Sequence, residues 1–224
     1  MAWFDFITKK KNSPRFVREY EDLLKTKTPK VRPIRQLEFT VLDTETTGFN
    51  IKSDYIVAYG SVKVQGYTIK INSAKEYYLQ LKKQEREAIK VHGIIKAGEY
   101  TSLEDFIKNF LKEIGGSVLV AHHASFDIAM LEKAGSAVGL NKLKNPVLDT
   151  AGLAIRLELG PHYNLRQIKN SDYSLDSLCM RYGIALDDRH TAAGDAFLTA
   201  QLLLKLLKIA ERKGIGTFGD LMSR

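Results

Sequence analysis

The spacing of apolar residues changes along the chain, and the change predicts the order of its strands and helices. Three apolar or β-rich runs come first, at residues 37–43, 55–64 and 75–81, with Gly66 marking a turn. Strand-length runs then alternate with segments of helical spacing, in the order 102–114, 118–121, 126–138, 146–148, 150–157, 175–182 and 191–212. This order predicts a three-layer α/β domain with a mixed sheet, antiparallel at its start and parallel where helices cross over.

The N-terminal part of the chain follows a different pattern. Apolar residues with helical spacing begin at Phe16 and stop before Pro29, and the periodic core begins only after Pro33. We therefore predict three parts: a basic, helical N-terminal appendage, an α/β domain and a short C-terminal tail, at residues 1–36, 37–214 and 215–224.

Composition narrows the class of protein only a little. The net charge is +8, and residues 1–38 carry ten Lys and Arg against five Asp and Glu. A basic balance suits nucleic acid as a partner, although charge alone is more typical of an ordinary solvated surface. Cys179 is the only cysteine, so the chain has no intramolecular disulfide and we expect a cytoplasmic location. Lysines interrupt the longest apolar run, and the N-terminal apolar stretch precedes its lysines, so we expect neither a membrane span nor a secretory signal.

Two acids at the end of the first buried strand are the first candidates for chemistry. Side chains of a strand alternate between faces, so Asp43 and Glu45 project to the same side. Two neighbouring carboxylates repel each other unless a cation lies between them, and hard oxygen ligands suit Mg²⁺ or Mn²⁺. An isolated Asp-x-Glu is nevertheless more often a solvated acid pair.

Further candidates follow later strands. Asp127 comes just after a strand, at the edge of the sheet where α/β proteins bind ligands, whereas Asp149 is better read as a helix N-cap. His190 and Asp195 are separated by five residues, which on one continuous helix would turn them roughly 140° apart. If the last long helix starts near Thr191, His190 becomes a loop residue beside Asp195 and can act as a base towards water.

Taken together, these residues form three motifs in order, Asp43-Thr-Glu45-Thr-Thr-Gly48, Ala124-Ser-Phe-Asp127 and Arg189-His190-Thr-Ala-Ala-Gly-Asp195. Their order and spacing resemble the exonuclease motifs of the DnaQ-like family, the DEDDh 3'→5' exonucleases, which includes proofreading epsilon subunits of bacterial replicative polymerases. Shorter matches lie between them, at residues 92–94, 148–150 and 175–184. The resemblance covers residues 37–210 and implies a ribonuclease H-like fold.

The resemblance also implies a mechanism with two divalent cations, Mg²⁺ or Mn²⁺. Asp43 would bridge both ions, Glu45 and Asp195 would complete one site, and Asp127 would help to hold the other. His190 would take a proton from the attacking water, and the product would be a nucleoside 5'-monophosphate.

Residues near these motifs are the candidates for substrate binding, namely Thr46, Gly48, Phe49, His92, His123 and Phe126. Phe49 stands where the family often has an apolar residue that wedges against the terminal base, although core packing explains such a residue equally well. Two positions depart from the family pattern: His123 replaces an Asn and Ala193 a Leu. We expect the first to alter substrate contacts and the second to change packing.

The resemblance leaves the substrate open. We expect DNA with single-stranded or mismatched 3' ends rather than RNA, no membrane partner, and a DNA polymerase subunit as a candidate protein partner. An RNA-trimming or oligonucleotide exonuclease of the same superfamily is one alternative, because the active-site motifs do not read the 2'-hydroxyl. A weakly active, polymerase-associated binding module is the other.

Overall fold

The computed structural model describes residues 13–80, 100–162 and 168–223. Its centre is a five-stranded sheet in the order β3-β2-β1-β4-β5. The strands are β1 (Glu38–Thr46), β2 (Ile56–Gln65), β3 (Thr68–Tyr78), β4 (Val118–Ala121) and β5 (Val147–Asp149). β1, β2 and β3 pair antiparallel, whereas β4 runs parallel to both β1 and β5. The sheet is therefore mixed, as the sequence predicts.

Helices cover both faces of this sheet. They are α1 (Arg15–Leu23), α2 (Leu103–Ile114), α3 (Ser125–Ser136), α4 (Thr150–Leu159), α5 (Leu175–Arg181), α6 (Ala192–Arg212) and α7 (Phe218–Met222), with short 3₁₀ turns at Ile34–Gln36 and Asn170–Tyr173. Phe39 and Val41 of β1 join a core with α4, α5, α6 and α7, whereas Leu42 joins a second core with α1, α2 and α3. The two cores on opposite faces give the three layers that were predicted.

Helix starts follow the expected capping residues. The Ser102 hydroxyl accepts a hydrogen bond from the backbone N–H of Asp105 at the start of α2. Asp149 does the same for α4 by accepting from Ala151 N–H, which confirms its interpretation as an N-cap. These side chains satisfy N–H groups that the first helical turn leaves without partners.

Two strands are longer than their apolar patterns indicate. β1 continues to Thr46, because its pairing with β2 persists through a bulge between Glu45 and Thr46. β3 begins at Thr68, about seven residues before its expected start, because backbone pairing with β2 holds an edge strand whose side chains are mostly exposed. Backbone pairing of this kind leaves no apolar signal in the sequence.

The segments predicted to flank the domain contact it closely. In α1, Val17 and Tyr20 are buried, and the Tyr20 hydroxyl donates to the Asn145 side-chain oxygen at 2.7 Å. At the other end, Leu221 of α7 is buried in the core beside α4 and α6. The division into appendage, domain and tail stays a prediction. Across the three described stretches of chain, no helix combines the length and apolar character that crossing a membrane requires.

Candidate active site

Three carboxylates meet where the C-terminal end of the central strand β1 lies beside the start of α6. Asp43 and Glu45 project from the same side of β1, and Asp195 lies in the first turn of α6. One carboxylate oxygen from each lies within 4.8 Å of the other two. Gly60 of β2 makes this approach possible, because a Cβ atom there would lie 2.2 Å from the Ala192 carbonyl carbon. The structure thus brings together acids that are about 150 residues apart in sequence.

Asp127 is tied to the same strand from the helix α3. Its side chain is 5% exposed, and its Oδ1 atom accepts from the Thr44 backbone N–H at 2.9 Å and the Thr44 hydroxyl at 2.7 Å. Thr44 stands between Asp43 and Glu45, so one residue of β1 fixes the fourth acid beside the other three. Asp127 itself is not among the three carboxylates that lie within 4.8 Å of one another.

The acids disfavour one another's ionisation. Burial raises the pKa of Asp43 well above its usual range, and the charges of Asp127, Asp195 and Glu45 raise it further. Burial, and then the charge of Asp195, also raise the pKa of Glu45. Burial raises the pKa of Asp127 to about 6, although its hydrogen bonds from Thr44 act in the opposite direction. A positive charge at this place would relieve both the burial cost and the mutual repulsion.

One buried oxygen points to what the site can hold. The Oδ1 atom of Asp195 is buried and has no hydrogen-bond partner among the residues that the structure describes. An unpartnered buried carboxylate oxygen is costly, and the nearby carboxylates of Asp43 and Glu45 cannot donate to it when ionised. Oxygen donors of this kind fit a divalent cation. The acid cluster can therefore bind metal.

Arg189 is a contributor that sequence reasoning missed. Its guanidinium forms ion pairs with Oδ2 of Asp195 and, through Nε, with Oδ1 of Asp176. Arg189 thus binds Oδ2 of Asp195, whereas Oδ1 of the same carboxylate stays without a partner among the described residues. Arg189 stands in the third motif, so its position was visible in the sequence, but its ion-pair partners depend on how the loop between α5 and α6 folds.

His190 is an exposed loop residue directly before the α6 N-cap Thr191, as expected. Its backbone has a positive φ of 65°. The loop packs tightly on the first turn of α6, because a Cβ atom on Gly194 would lie 2.0 Å from the Asp188 carbonyl oxygen. A positive charge on His190 lowers the pKa of Glu45, so the imidazole acts on the acid cluster. Because His190 lies outside α6, the roughly 140° between His190 and Asp195 that a continuous helix would impose does not apply.

Two aromatic residues lie close in sequence to the acids and contact each other. Phe49 lies in the loop after β1 and is 91% exposed, which rules out core packing as the reason for its presence. Its ring centroid lies 5.9 Å from that of Phe126, which precedes Asp127 on α3. The Thr46 hydroxyl donates to the Gly48 carbonyl oxygen at 2.7 Å and closes the backbone between the acids and Phe49.

The paired histidines after β4 have different surroundings. His123 is exposed with a positive φ of 58°, and its backbone N–H donates to Asp149 at 2.9 Å. The neighbouring His122 contacts Thr150 Oγ1 and the Tyr173 carbonyl oxygen through its two ring nitrogens, at 2.9 and 3.0 Å. Burial lowers the pKa of His122 to about 4, so it supports the fold as a neutral ring. His92, another predicted substrate contact, lies outside the described residues.

Comparison with known proteins decides the family. A sequence profile of the RNase_T family, described as "Exonuclease", matches residues 40–203. The chain belongs to this exonuclease family. Family membership supports a nuclease, that is, a hydrolase, and it confirms the resemblance to DnaQ-like proteins.

Curated relatives of this exonuclease come from bacterial DNA polymerase III. The chain is 35% identical over 187 residues to a DNA polymerase III PolC-type protein of Bacillus subtilis, covering 82% of this chain and 12% of that protein. It is also 35% identical over 201 residues to a DNA polymerase III subunit epsilon-like protein of Rhodobacter capsulatus, covering 85% of this chain and 27% of that protein. The chain therefore spans only a small part of the length of these relatives.

Solved structures support the fold. E. coli exonuclease I in complex with a dT13 oligonucleotide matches with a TM-score of 0.62 and 15% identity, over 80% of this chain and 43% of that chain. At this identity the likeness concerns the fold alone, and it confirms the ribonuclease H-like α/β fold.

Proposed function

We propose that this exonuclease removes nucleotides from the 3' end of DNA and releases nucleoside 5'-monophosphates. The observation that carries the proposal is the group of three carboxylates within 4.8 Å of one another, one of which has a buried oxygen without a hydrogen-bond partner among the described residues. Asp127 and the exposed His190 border this group. Carboxylates that can hold metal ions and a histidine that can accept a proton are the residue types that metal-assisted phosphodiester hydrolysis requires.

Four acids would hold two divalent cations, Mg²⁺ or Mn²⁺. Asp43 would contribute to both sites, Glu45 and Asp195 to one, and Asp127 to the other. Such ions, when bound, activate water and stabilise the charge that develops on the phosphate and the leaving oxygen. Thr44 keeps one Asp127 oxygen in place, and Arg189 keeps one Asp195 oxygen in place, so each acid presents its other oxygen in a fixed orientation.

His190 would move the proton. An exposed imidazole beside the acid cluster can accept a proton from the attacking water and pass it to solvent, which is the role of a general base. The loop before α6 packs tightly on the first turn of that helix, and it places His190 where its charge affects Glu45 while the residue stays exposed. Accessibility to solvent lets the ring lose its proton between turnovers.

Phe49 and Phe126 would contact the terminal nucleotide, with Thr46, Gly48, His92 and His123 as further contacts. An exposed aromatic face stacks on any base, which suits a nuclease that removes nucleotides irrespective of sequence. DNA as substrate and a polymerase subunit as partner are supported by the relatives, which are proteins of DNA polymerase III.

Digestion of end-labelled substrates in parallel tests the proposal. Single-stranded DNA, duplex DNA with a mismatched 3' end and RNA of the same sequence, all labelled at the 5' end, are incubated with Mg²⁺, with Mn²⁺ or with a chelator. We expect a ladder of shortening labelled DNA with either metal and none with the chelator. Immediate release of the label as a mononucleotide would indicate the opposite direction. Faster loss of RNA would favour an RNA-trimming enzyme, and intact substrates that are nevertheless bound would favour a binding module.

A further inference from the structure

The loop that carries Phe49 has an internal hydrogen-bond network centred on one acid. We call residues 47–55 the Phe49 loop. The Asp54 carboxylate accepts from the Thr47 hydroxyl at 2.9 Å and from the Asn50 backbone N–H at 2.8 Å. The Thr47 backbone N–H donates to the Tyr55 carbonyl oxygen at 2.9 Å and closes the base of the loop. Gly48 leaves room for this carboxylate, since a Cβ atom there would lie 2.7 Å from it.

A lysine on another element holds the loop from outside. Lys133, near the end of α3, donates through Nζ to the carbonyl oxygens of Lys52, at 3.2 Å, and Asp54, at 2.5 Å. The same ammonium lies 4.3 Å from the centroid of the Tyr55 ring. Two carbonyl acceptors and an aromatic face replace much of the water around this charge, which favours one position of the loop.

The helix that supplies Lys133 also supplies groups of the candidate active site. Phe126 and Asp127 lie in the first turn of α3, and Lys133 lies about two turns further on. The same helix therefore contacts β1 through Asp127 and the Phe49 loop through Lys133. Phe49, being 91% exposed, contributes little to the folding of its own loop. Internal hydrogen bonds, among them those of Asp54, and the external contact with Lys133 hold the loop instead.

We propose that Lys133 and Asp54 are positioning residues that hold the Phe49 loop in place for stacking on the 3'-terminal base. The inference rests on the proposed function of Phe49 and adds residues that do not touch the substrate. A loop ordered before binding avoids the entropic cost of ordering it on the substrate. Loss of the lysine should therefore weaken recognition of the terminal base without changing the chemistry at the acids.

Lys133→Met removes the charge and the donors and keeps much of the side-chain volume. With single-stranded DNA we expect KM to rise by about 5- to 10-fold while kcat stays within about 2-fold, since part of one stacking contact is lost. With an oligonucleotide that ends in an abasic 3' nucleotide, the variant and the wild type should have equal KM values. Lys133→Arg should restore the wild-type KM, and Lys108→Met, at an exposed lysine of α2, controls for the lost charge.

A double variant tests whether Lys133 acts through Phe49. In a Phe49→Ala background, Lys133→Met should change KM by less than about 2-fold. An equal increase in KM for the abasic substrate, or in the Phe49→Ala background, would overturn the proposal and indicate a general loss of charge or fold.

Hydrogen exchange gives a readout that does not need activity. Lys133→Met and, separately, Asp54→Ala should raise the exchange rates of the Asn50 and Thr47 amides by about 5-fold or more, with exchange in β4 unchanged. Unchanged exchange in the loop in both variants would overturn the proposal. If the wild type cleaves no substrate, the proposed function fails, whereas the exchange data still show whether these residues hold the loop.

Discussion

The acid cluster and the Phe49 loop lie at the same edge of the sheet but break the usual rule of burial in opposite ways. At the first, like charges are withdrawn from water: Asp127 is 5% exposed and Asp195 8%. At the second, Phe49 is 91% exposed. Charged groups are normally solvated and large apolar groups normally buried, so each region carries a cost that folding alone does not offset. Each cost would be relieved by a different part of a nucleic-acid complex, cations at the first and a base at the second.

The two regions also differ in what holds them. The acids project from regular elements, β1, α3 and α6, whose backbone positions are fixed by the sheet and by two hydrophobic cores. The Phe49 loop joins the paired ends of β1 and β2 and is held by its own backbone hydrogen bonds and by side chains, chiefly Asp54 and Lys133. Changes at the acids should therefore affect chemistry and charge, whereas changes at the loop should affect recognition.

The largest effect is expected for Asp43, the acid proposed to contribute to both metal sites. Asp43→Asn should lower single-turnover cleavage by about 10³-fold or more, because several kcal/mol of charge stabilisation are lost. Calorimetric titration with Mn²⁺ should show weaker binding. Glu104→Gln, at an exposed acid of α2, is the matched control and should behave as wild type. Full activity in Asp43→Asn would break the assignment of chemistry to the acid cluster.

His190→Ala should have the next largest effect. Turnover should fall by about 10²–10⁴-fold, the usual scale for proton transfer by a side chain, while binding of Mn²⁺ and substrate stays near normal. Because a general base acts only when it is unprotonated, the wild-type rate should rise with pH, and the variant should lose that rise. Single-turnover cleavage between pH 5 and 9 measures both profiles. A variant with the same pH profile as the wild type would remove His190 from the mechanism.

A third prediction concerns stability without metal. The folded-state pKa of Asp127 is raised from 3.8 to about 6, so its contribution to stability is present below pH 4 and is lost as pH rises through about 6. The loss is on the order of a few kcal/mol, since each pKa unit corresponds to about 1.4 kcal/mol. Asp127→Asn keeps an oxygen for Thr44 and should lose less stability over this range, because only Asp43 and Glu45, whose pKa values are also raised, remain ionisable there.

Urea denaturation in the presence of a chelator, at pH values from 4 to 8, measures it. The wild type should become less stable than Asp127→Asn above pH 6, and Mg²⁺ should stabilise the wild type more than the variant. Parallel curves for the two proteins would mean that Asp127 does not contribute to the loss of stability with rising pH.

Part of this site could be predicted from the sequence because it depends on local geometry. The two-residue period of a strand turns Asp43 and Glu45 to one side, and an N-cap at Thr191 frees His190 from the helix. The convergence of these residues with Asp127 could be predicted only through the resemblance to a family, since no local pattern joins segments so far apart. The mixed character of the sheet and the three layers followed from the alternation of strands and helices.

Other contacts could not be predicted because they depend on the tertiary fold. Thr44 and Asp127 are 83 residues apart, and Lys133 meets a backbone carbonyl 79 residues earlier. Every residue has a backbone carbonyl, so no residue type in the sequence indicates which carbonyl Lys133 will contact. The early start of β3 was missed for the same reason, because it depends on backbone pairing with β2.

Of the four changes at Asp43, His190, Asp127 and Phe49, the smallest effect is expected for Phe49, and it tests the recognition region rather than the acids. Phe49→Ala should raise KM for single-stranded DNA by about 5- to 150-fold, which corresponds to the ~1–3 kcal/mol that stacking of one base contributes.

Because the Phe49 ring is 91% exposed, the free energy of unfolding should change by less than about 0.5 kcal/mol in the same variant. Ile107→Ala, a fully buried site of α2, is the contrasting variant and should lose about 2–5 kcal/mol. Replacement by Trp should preserve KM, since a larger aromatic face stacks at least as well. If Phe49→Ala instead unfolds at lower urea concentration and binds DNA normally, the exposed ring stabilises its own loop. The two regions would then not divide chemistry from substrate recognition.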